Sequence, residues 1–314
     1  MTLRAGSRLE RVLHETGFGV TAEVVPPRSA EARLVEAQAE GLLGYADAVN
    51  VTDNPTSSAH MSAVAGAAIV ARAGLEPVLQ VTTRDRNRLA LTADLLGGWA
   101  LGARNLLCLT GDPPGEGDHP DATEVYDLSV TDLVGFAVRL RDEGLLLSGR
   151  AIPEPPRFFV GVADVPLAPG YDPARLEAKL DAGADFVQTQ IVFDLDALAA
   201  WAERIRPAGV FERAFFLVGV TPLRGPRTAR FIRDRLGISV PDAVIDRLEA
   251  AGDEAPEEGV RIAVEAAAGV RRIPGLSGVH VMGLGHDEGV RRTIEAAGLL
   301  PRPSAELPPA GRDS

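Results

Sequence analysis

FGVTAEVVPPRSAE, residues 18–31, decides between two folds. A chain in which strands and helices alternate can form either an open doubly wound sheet or a closed (β/α)₈ barrel. FGVTAEVV (18–25) is apolar along nearly its whole length, which is typical of a strand in a buried parallel sheet. An open doubly wound sheet usually carries a glycine-rich phosphate loop after its first strand, such as GxGxxG or GxxxxGK[ST]. Here VPPRSAE (25–31) follows the strand, and this absence of a phosphate loop disfavours the doubly wound fold.

Seven further β-rich runs follow, and amphipathic segments separate them. The runs lie at 47–52, 77–83, 104–110, 158–165, 185–193, 214–221 and 278–284. One amphipathic segment is expected to form a helix over 56–73 with Thr56 as its N-cap, and an additional helical pair is expected within 241–272. Eight β/α units predict an α/β fold, a single-domain (β/α)₈ TIM barrel over residues 1–300. The segment 301–314 is expected to be a flexible C-terminal tail.

Composition narrows the functional class. The 314 residues include 44 acidic and 32 basic side chains, a formal net charge of −12, which opposes sequence-independent binding of nucleic acid. No apolar stretch reaches about 18 residues without a charge, so no membrane span is expected. The charged N-terminus lacks the apolar core of a signal peptide, and a cytoplasmic protein is expected. The single cysteine, Cys108, and histidines without metal-ligand spacing predict no metal site.

Polar side chains at the carboxyl ends of the strands are the candidate site, because chemistry in this fold takes place there. Glu23 lies in the apolar run TAEVV, where burial should raise the pKa of its carboxyl group and suit it to general acid catalysis. An ion pair with an arginine inside the barrel is the structural alternative. Asp112 ends the segment LTGD, and it is either a site residue or the acceptor of an Asx turn or helix cap.

Two glutamines extend this candidate site. Gln188 and Gln190 alternate on the sixth strand and therefore share one face. Two amides on one buried face need hydrogen-bond partners, which either a heterocyclic ligand or an interior network of side chains would supply. The polar segment 111–124 is long for a plain connection and is expected to be functional.

Five short motifs now identify a family. They occur in the order Glu23-Val24-Val25-Pro26-Pro27-Arg28, Val51-Thr52-Asp53-Asn54, Thr83-Arg84-Asp85-Arg86-Asn87-Arg88, Leu109-Thr110-Gly111-Asp112-Pro113, and Asp181-Ala182-Gly183-Ala184 through Thr189-Gln190. Each motif is weak alone, but their order and spacing together are specific. The chain resembles the methylenetetrahydrofolate reductase family from about residue 18 to residue 298. That family has a (β/α)₈ barrel, in agreement with the count of strands.

The resemblance implies an activity and a role for six residues. Members of the family reduce 5,10-methylenetetrahydrofolate to 5-methyltetrahydrofolate, and hydride passes from NADH or NADPH through a flavin, usually FAD. By position, Glu23 is similar to the catalytic glutamate that helps to protonate the folate N10. Asp112 is similar to the catalytic aspartate beside the flavin and the folate, and Gln190 to the glutamine that binds the pterin. The family's cofactor contacts fall at Thr52, Gln80, Asp112 and Lys179.

The sequence departs from the family after strand five. Many members carry Tyr-Pro-Glu-x-His-Pro there, whereas residues 162–169 read VADVPLAP, and Gln80 replaces a frequent histidine. We therefore expect weak binding of FAD, with direct hydride transfer from NADH as the alternative. A non-catalytic folate- or flavin-binding subunit and a folate-dependent methyltransferase are the other readings. The sequence does not decide the oligomeric state, and a homo-oligomer stays open because barrels of this size commonly pair.

Overall fold

The predicted strands form in the computed structural model, which describes residues 3–303. Within this range the strands are β1 (Gly19–Val24), β2 (Ala48–Val51), β3 (Pro77–Thr82), β4 (Asn105–Leu109), β5 (Phe159–Asp164), β6 (Phe186–Ile191), β7 (Phe215–Val220) and β8 (Gly278–Val281). They are parallel, each pairs with the next, and β8 pairs with β1 to close the barrel. The prediction of a single-domain (β/α)₈ barrel is confirmed.

Helices surround this barrel. In the described part of the chain they are α1 (Arg8–Thr16), α2 (Ala32–Leu42), α3 (Ala63–Arg72), α4 (Arg88–Ala100), α5 (Val130–Glu143), α6 (Pro173–Asp181), α7 (Leu195–Ile205), α8 (Pro226–Asp234), α9 (Asp242–Ala250), α10 (Ala255–Val270) and α11 (Asp287–Ala296). α9 and α10 are the helical pair expected within 241–272. Among residues 3–303, every helix is too short or too polar to cross a membrane.

Helix α1 closes the end of the barrel where the strands begin. Its Leu9 and Leu13 are buried against inward-facing side chains that include Phe159 and Phe186. The carboxylate of Glu76 accepts hydrogen bonds from the backbone N–H groups of Arg8 (2.6 Å) and Leu9 (3.0 Å), which fixes the start of the helix. In the described residues 3–303, the barrel is therefore closed at this end and open at the carboxyl ends of its strands, and we call that opening the mouth.

A buried polar layer crosses the barrel between this plug and the mouth. Gln188 exchanges hydrogen bonds with Asn50 (2.7 and 3.1 Å) and donates to Thr21 (3.1 Å), whose hydroxyl also pairs with Nδ1 of His280 (2.9 Å). Burial lowers the pKa of His280 to about 4, so its ring is neutral at neutral pH. Gln188 therefore belongs to an interior network, the structural alternative of the two that the sequence left open for the glutamine pair.

The start of α3 and the C-terminal segment are the two predicted boundaries that are not simply confirmed. Helix α3 begins seven residues later than predicted, with Ser62 as its N-cap in place of Thr56. The reason is an irregular turn at 54–57, in which the φ angles of Asn54, Thr56 and Ser57 are about 50° and exclude a right-handed helix. Most of the predicted tail, 304–314, lies outside the described residues. Arg302, which precedes it, is fixed by hydrogen bonds of 2.5 and 3.1 Å to Asp47.

Candidate active site

Two cavities open at the mouth, and they share a wall. Cavity A has a volume of about 580 Å³ and cavity B about 880 Å³. All six residues predicted for the site line cavity A: Glu23, Thr52, Gln80, Asp112, Lys179 and Gln190. Four of these also line cavity B and form the shared wall: Glu23, Thr52, Asp112 and Gln190. The predicted residues are thus brought together although they come from six different β/α units.

Glu23 is the central residue of the shared wall. Its neighbours on β1, Ala22 and Val24, are fully buried, and β1 presents its carboxyl group to the mouth. Within residues 3–303 it has no hydrogen bond and no ion pair, so the predicted alternative of a pairing with arginine is not found. Burial raises the pKa of Glu23 from 4.5 to about 7. This carboxyl group can therefore hold a proton near neutral pH, where an ordinary glutamate is ionised.

Asp112 is held by the turn at 54–57. Its carboxylate accepts a hydrogen bond of 2.8 Å from the backbone N–H of Thr56, and its carbonyl oxygen accepts one from the hydroxyl of Ser57. The loop carrying Asp112 approaches this turn so closely that a Cβ atom at Gly117 would lie 1.9 Å from the carbonyl oxygen of Ser57. The Asx-turn alternative is thus not observed, since the carboxylate binds a neighbouring loop. The strained backbone at 54–57 serves to position an acidic group at the mouth.

Two arginines that follow β3 hold the turn in place. Arg86 binds both carboxylate oxygens of Asp53, at 2.7 and 3.0 Å. Arg84 is almost fully buried and donates to the carbonyl oxygen of Asn54 (3.3 Å) and the hydroxyl of Ser57 (3.1 Å). The motifs VTDN and TRDRNR are therefore one structural unit. Sequence reasoning did not assign this positioning role, although charged residues at the ends of neighbouring strands signalled it.

Gln190 reaches the mouth through an irregularity in β6. The pairing of β6 with β7 shifts register between Gln188 and Ile191, and the N–H of Gly219 donates to the hydroxyl of Thr189 instead (3.0 Å). The side-chain oxygen of Gln190 accepts from the N–H of Ile191 (2.9 Å). Its side-chain NH₂ group has no partner among residues 3–303 and is available to a ligand in either cavity.

Thr52 and Lys179 differ in whether their polar atoms already have a hydrogen-bond partner within the described chain. The hydroxyl oxygen of Thr52 is buried and lacks a hydrogen-bond partner in the described chain, which is the signature of a position that a ligand completes. Lys179 already donates a bond of 2.6 Å to the carbonyl oxygen of Ala163. Burial lowers the pKa of Lys179, and the nearby carboxylate of Asp164 partly opposes that shift.

Cavity A is also lined by an aromatic residue, Tyr171, which the family motifs did not predict. Tyr171 follows β5 by seven residues, and its hydroxyl donates to the carboxylate of Asp164 (2.9 Å). Burial raises the pKa of Asp164, and this bond opposes the rise. The tyrosine expected directly after β5 is absent, yet an aromatic side chain from the same loop lies in the cavity wall. Only its place in the β5 loop could have signalled it.

Cavity B differs from cavity A in its lining. One wall is apolar, formed by Val25, Leu236, Ile238, Met282 and Leu284, while Arg28, His60 and Arg235 supply nitrogen atoms. Nδ1 of His60 donates to the carbonyl oxygen of Ser58 (2.7 Å), so in the neutral ring Nε2 is an acceptor. Arg28 closes the first of the five family motifs but had been given no role, and no motif had pointed to His60 or Arg235.

These observations define a class of protein: a (β/α)₈ barrel in which an unpaired, half-buried carboxyl group with a raised pKa lies where two cavities meet. In the part of the chain described, no three His, Cys, Asp or Glu side chains are grouped to hold a metal ion. The profile of the methylenetetrahydrofolate reductase family matches residues 8–298, and the chain belongs to that family.

Individual relatives agree with this assignment. Methylenetetrahydrofolate reductase 1 of Schizosaccharomyces pombe is 27% identical over 242 residues, which cover 72% of this chain and 36% of that protein. The probable methylenetetrahydrofolate reductase (NADPH) of Caenorhabditis elegans is 27% identical over 262 residues, 77% of this chain and 36% of the relative. The 5,10-methylenetetrahydrofolate reductase of Salmonella typhimurium is 28% identical over 172 residues, 54% and 52% of the two chains. The chain thus spans about a third of the eukaryotic relatives and half of the bacterial one.

A solved structure shares the fold. It is an uncharacterized protein from Clostridium thermocellum that binds two copies of 5-methyl-5,6,7,8-tetrahydrofolic acid. It superposes with a TM-score of 0.64 at 12% identity and covers 93% of this chain and 98% of its own.

Proposed function

We propose that this protein reduces 5,10-methylenetetrahydrofolate to 5-methyltetrahydrofolate with hydride from NADH or NADPH. The observation that carries the proposal is Glu23, an unpaired carboxyl group with a pKa of about 7 at the junction of two cavities. Membership of the methylenetetrahydrofolate reductase family supports the choice of reaction. The acidic group that this reduction needs is thus available near neutral pH.

Glu23 acts on the folate before hydride arrives. Its proton passes to N10, the bond between N10 and the methylene carbon breaks, and a 5-iminium cation forms. Hydride then adds to the methylene carbon and gives the 5-methyl group, while the nicotinamide is oxidised. N10 keeps its proton, so Glu23 ends the cycle as a carboxylate. The negative charge of Asp112 stabilises the cation that precedes hydride addition.

We place the folate in cavity B. The apolar wall suits the benzoyl ring of the substrate, and the guanidinium groups of Arg28 and Arg235 suit the carboxylates of its glutamate tail. The free side-chain NH₂ group of Gln190 lies in the wall between the cavities, where it would bind the pterin. In this placement Glu23 lies beside N10, the folate nitrogen that connects the pterin to the benzoyl ring.

Cavity A is the proposed site of the redox cofactor. Thr52, with its unpartnered hydroxyl, and Gln80 would bind polar atoms of a planar ring, and Tyr171 lies in the same wall. Lys179 is the weaker contact for a pyrophosphate, because Ala163 already occupies it and Asp164 lies nearby. The residues therefore fit FAD with low affinity. When bound, FAD would accept hydride from the nicotinamide and deliver it to the folate.

Direct hydride transfer from NADH to the folate is a second candidate. The observation that favours it is the shared wall of the two cavities, because ligands in A and B would meet at Glu23 and Gln190. A non-catalytic folate-binding subunit is disfavoured, because mere binding gives no reason to bury an unpaired carboxyl group.

The test is turnover of NADH with methylenetetrahydrofolate by purified protein of known flavin content, with 5-methyltetrahydrofolate identified by mass. Product formed in proportion to NADH oxidised supports the reductase. Folate binding without any oxidation of NADH or NADPH, with and without added FAD, would reject it in favour of a binding protein. Methyl transfer from 5-methyltetrahydrofolate to an added thiol would favour the methyltransferase reading.

A further inference from the structure

A third cavity lies between α2 and α11, and Glu23 is the residue that it has in common with the shared wall. Its volume is about 40 Å³, and its polar lining comes from Glu23, Gln38, Asp287 and Arg291. A folate or a nucleotide cannot enter a space of this size. A water molecule needs roughly 10–15 Å³ by the same measure and two to four polar partners, so the cavity suits about two or three waters.

The three other polar side chains that line this cavity differ in their hydrogen bonds and in their exposure to solvent. The amide of Gln38 is fixed by two hydrogen bonds of 3.2 Å to the backbone of Val25, at the end of β1. Arg291 is half-buried and has no ion pair within residues 3–303. Asp287 is exposed and lines both this cavity and cavity B. The half-buried, unpaired carboxyl group of Glu23 and the solvent-exposed carboxylate of Asp287 thus line one small cavity.

The proposed reaction creates a need for such a connection. Each turnover consumes the proton of Glu23, and a new one must arrive from solvent. When ligands fill cavities A and B, they cover the face of Glu23 that points to the mouth. Asp112 and Gln190, the other polar groups of the shared wall, are covered with it. The small cavity between α2 and α11 gives this carboxyl group a second polar approach, through Asp287, which also lines cavity B.

We propose that water in the α2–α11 cavity returns a proton to Glu23 after each turnover, and that Asp287 passes this proton in from solvent. This inference rests on the proposed reductase function. A proton from solvent binds Asp287, a bridging water takes it up while giving its own proton to the Glu23 carboxylate, and one proton is consumed per cycle. Asp287 is thus a relay residue and does not touch the reacting atoms.

The test uses Asp287→Asn, which keeps the shape of the side chain and removes its ability to carry the proton. We expect kcat for methylenetetrahydrofolate reduction to fall roughly tenfold, less than the roughly 10²–10⁴ of direct acid–base catalysis, because Asp287 acts through water and does not touch the folate N10. A small acid such as imidazolium should restore much of kcat, and Asp287→Glu should remain active. Glu288→Gln is the matched control, because Glu288 is the next residue of α11 and lines none of the three cavities.

The outcomes separate the relay from the function on which it rests. Wild-type kcat in Asp287→Asn, or a loss that imidazolium does not reverse, would overturn the relay and leave the reductase in place. A wild-type protein without reductase activity would overturn the proposed function and the relay with it. A high-resolution crystal structure gives a readout independent of turnover: ordered water between Glu23 and Asp287 supports the relay, and a dry cavity rejects it.

Discussion

The carboxylate of Asp112 accepts a hydrogen bond of 2.8 Å from the backbone N–H of Thr56, which ties the loop after β4 to the loop after β2. Asp112 is otherwise exposed at the mouth. The bond fixes where its negative charge lies relative to both cavities. Charge and position can therefore be separated by substitution.

Asp112→Asn retains an oxygen acceptor for Thr56 and removes the charge. We expect kcat for folate reduction to fall by roughly 10²–10³, the range found when one electrostatic contact to a transition state is lost. Steady-state kinetics with methylenetetrahydrofolate measures the change. Asp118→Asn is the control, since Asp118 is on the same loop, binds the N–H of Ala59 (3.1 Å) and lines neither cavity. Equal losses in the two variants would assign the effect to loop structure and contradict a role for the charge.

Glu23→Gln tests the proton donor. The amide keeps the shape of the side chain but cannot protonate N10, so folate reduction should slow by roughly 10²–10⁴. Affinity for the nicotinamide nucleotide, measured by calorimetry, should change little. Because the pKa of Glu23 is about 7, the wild-type rate of the folate step should decline as pH rises through 7. Turnover at the wild-type rate in this variant would end the assignment of Glu23 as the acid.

The same substitution has an effect on stability that depends on pH. The pKa of Glu23 is about 7 in the folded protein and near 4.5 when exposed, so ionisation opposes folding as pH rises from 4.5 to 7. Glu23→Gln removes this opposition. We expect the free energy of unfolding of the variant, relative to that of the wild type, to increase as pH rises through that interval. Above pH 7 the difference should stay constant. Urea unfolding curves at pH 4.5 and pH 8 measure it, and an equal difference at both values would show that burial does not shift this carboxyl group.

The two glutamines of β6 should respond differently to the same change. Gln190→Ala should weaken folate binding by about 1–3 kcal/mol with little effect on stability, because the lost amide faces the cavities. Gln188→Ala should instead lower stability by about 1–3 kcal/mol, since Asn50 and Thr21 lose buried partners. Folate titration and urea unfolding of both variants provide the comparison. Unchanged folate affinity in Gln190→Ala would place the pterin elsewhere.

Cofactor binding is tested by adding FAD to flavin-free protein and following the quenching of its fluorescence. We expect weak binding that Lys179→Ala weakens further without abolishing it, because this lysine already donates a hydrogen bond to Ala163 and is only one of the contacts of cavity A. Tyr171→Phe is the companion variant: it keeps the ring and removes the hydroxyl that binds Asp164, so FAD binding should persist. Full turnover in protein shown to be free of flavin would favour direct hydride transfer and defeat the FAD reading.

The strands and the residues of the shared wall could be predicted because they depend on local signals. A buried parallel strand is a continuous apolar run, so Glu23 within TAEVV was conspicuous, and the barrel rule placed it at the mouth. The start of α3 could not be predicted, because the turn at 54–57 is imposed by contacts with Arg84 and the loop of Asp112. Tyr171 was missed for a similar reason, since a loop of irregular shape brings it back to cavity A.

Gln188 and Gln190 illustrate a limit of periodicity. Their alternation on β6 correctly predicted that both side chains lie on one face of the strand. It could not predict that Gln188 bonds within the buried polar layer, while the shift in register leaves the NH₂ group of Gln190 without a partner in the described chain. The lining of cavity B, with His60 and Arg235, required the positions of loops that are distant in sequence.

The polar layer that contains His280 balances the protonation of Glu23. Between pH 4.5 and 6.5, folding binds a proton at Glu23, whose pKa rises to about 7, and releases one at His280, whose pKa falls to about 4. The two shifts have opposite effects on the number of bound protons, so their contributions to the pH dependence of stability oppose each other in that interval. Replacing either residue alone would expose the titration of the other.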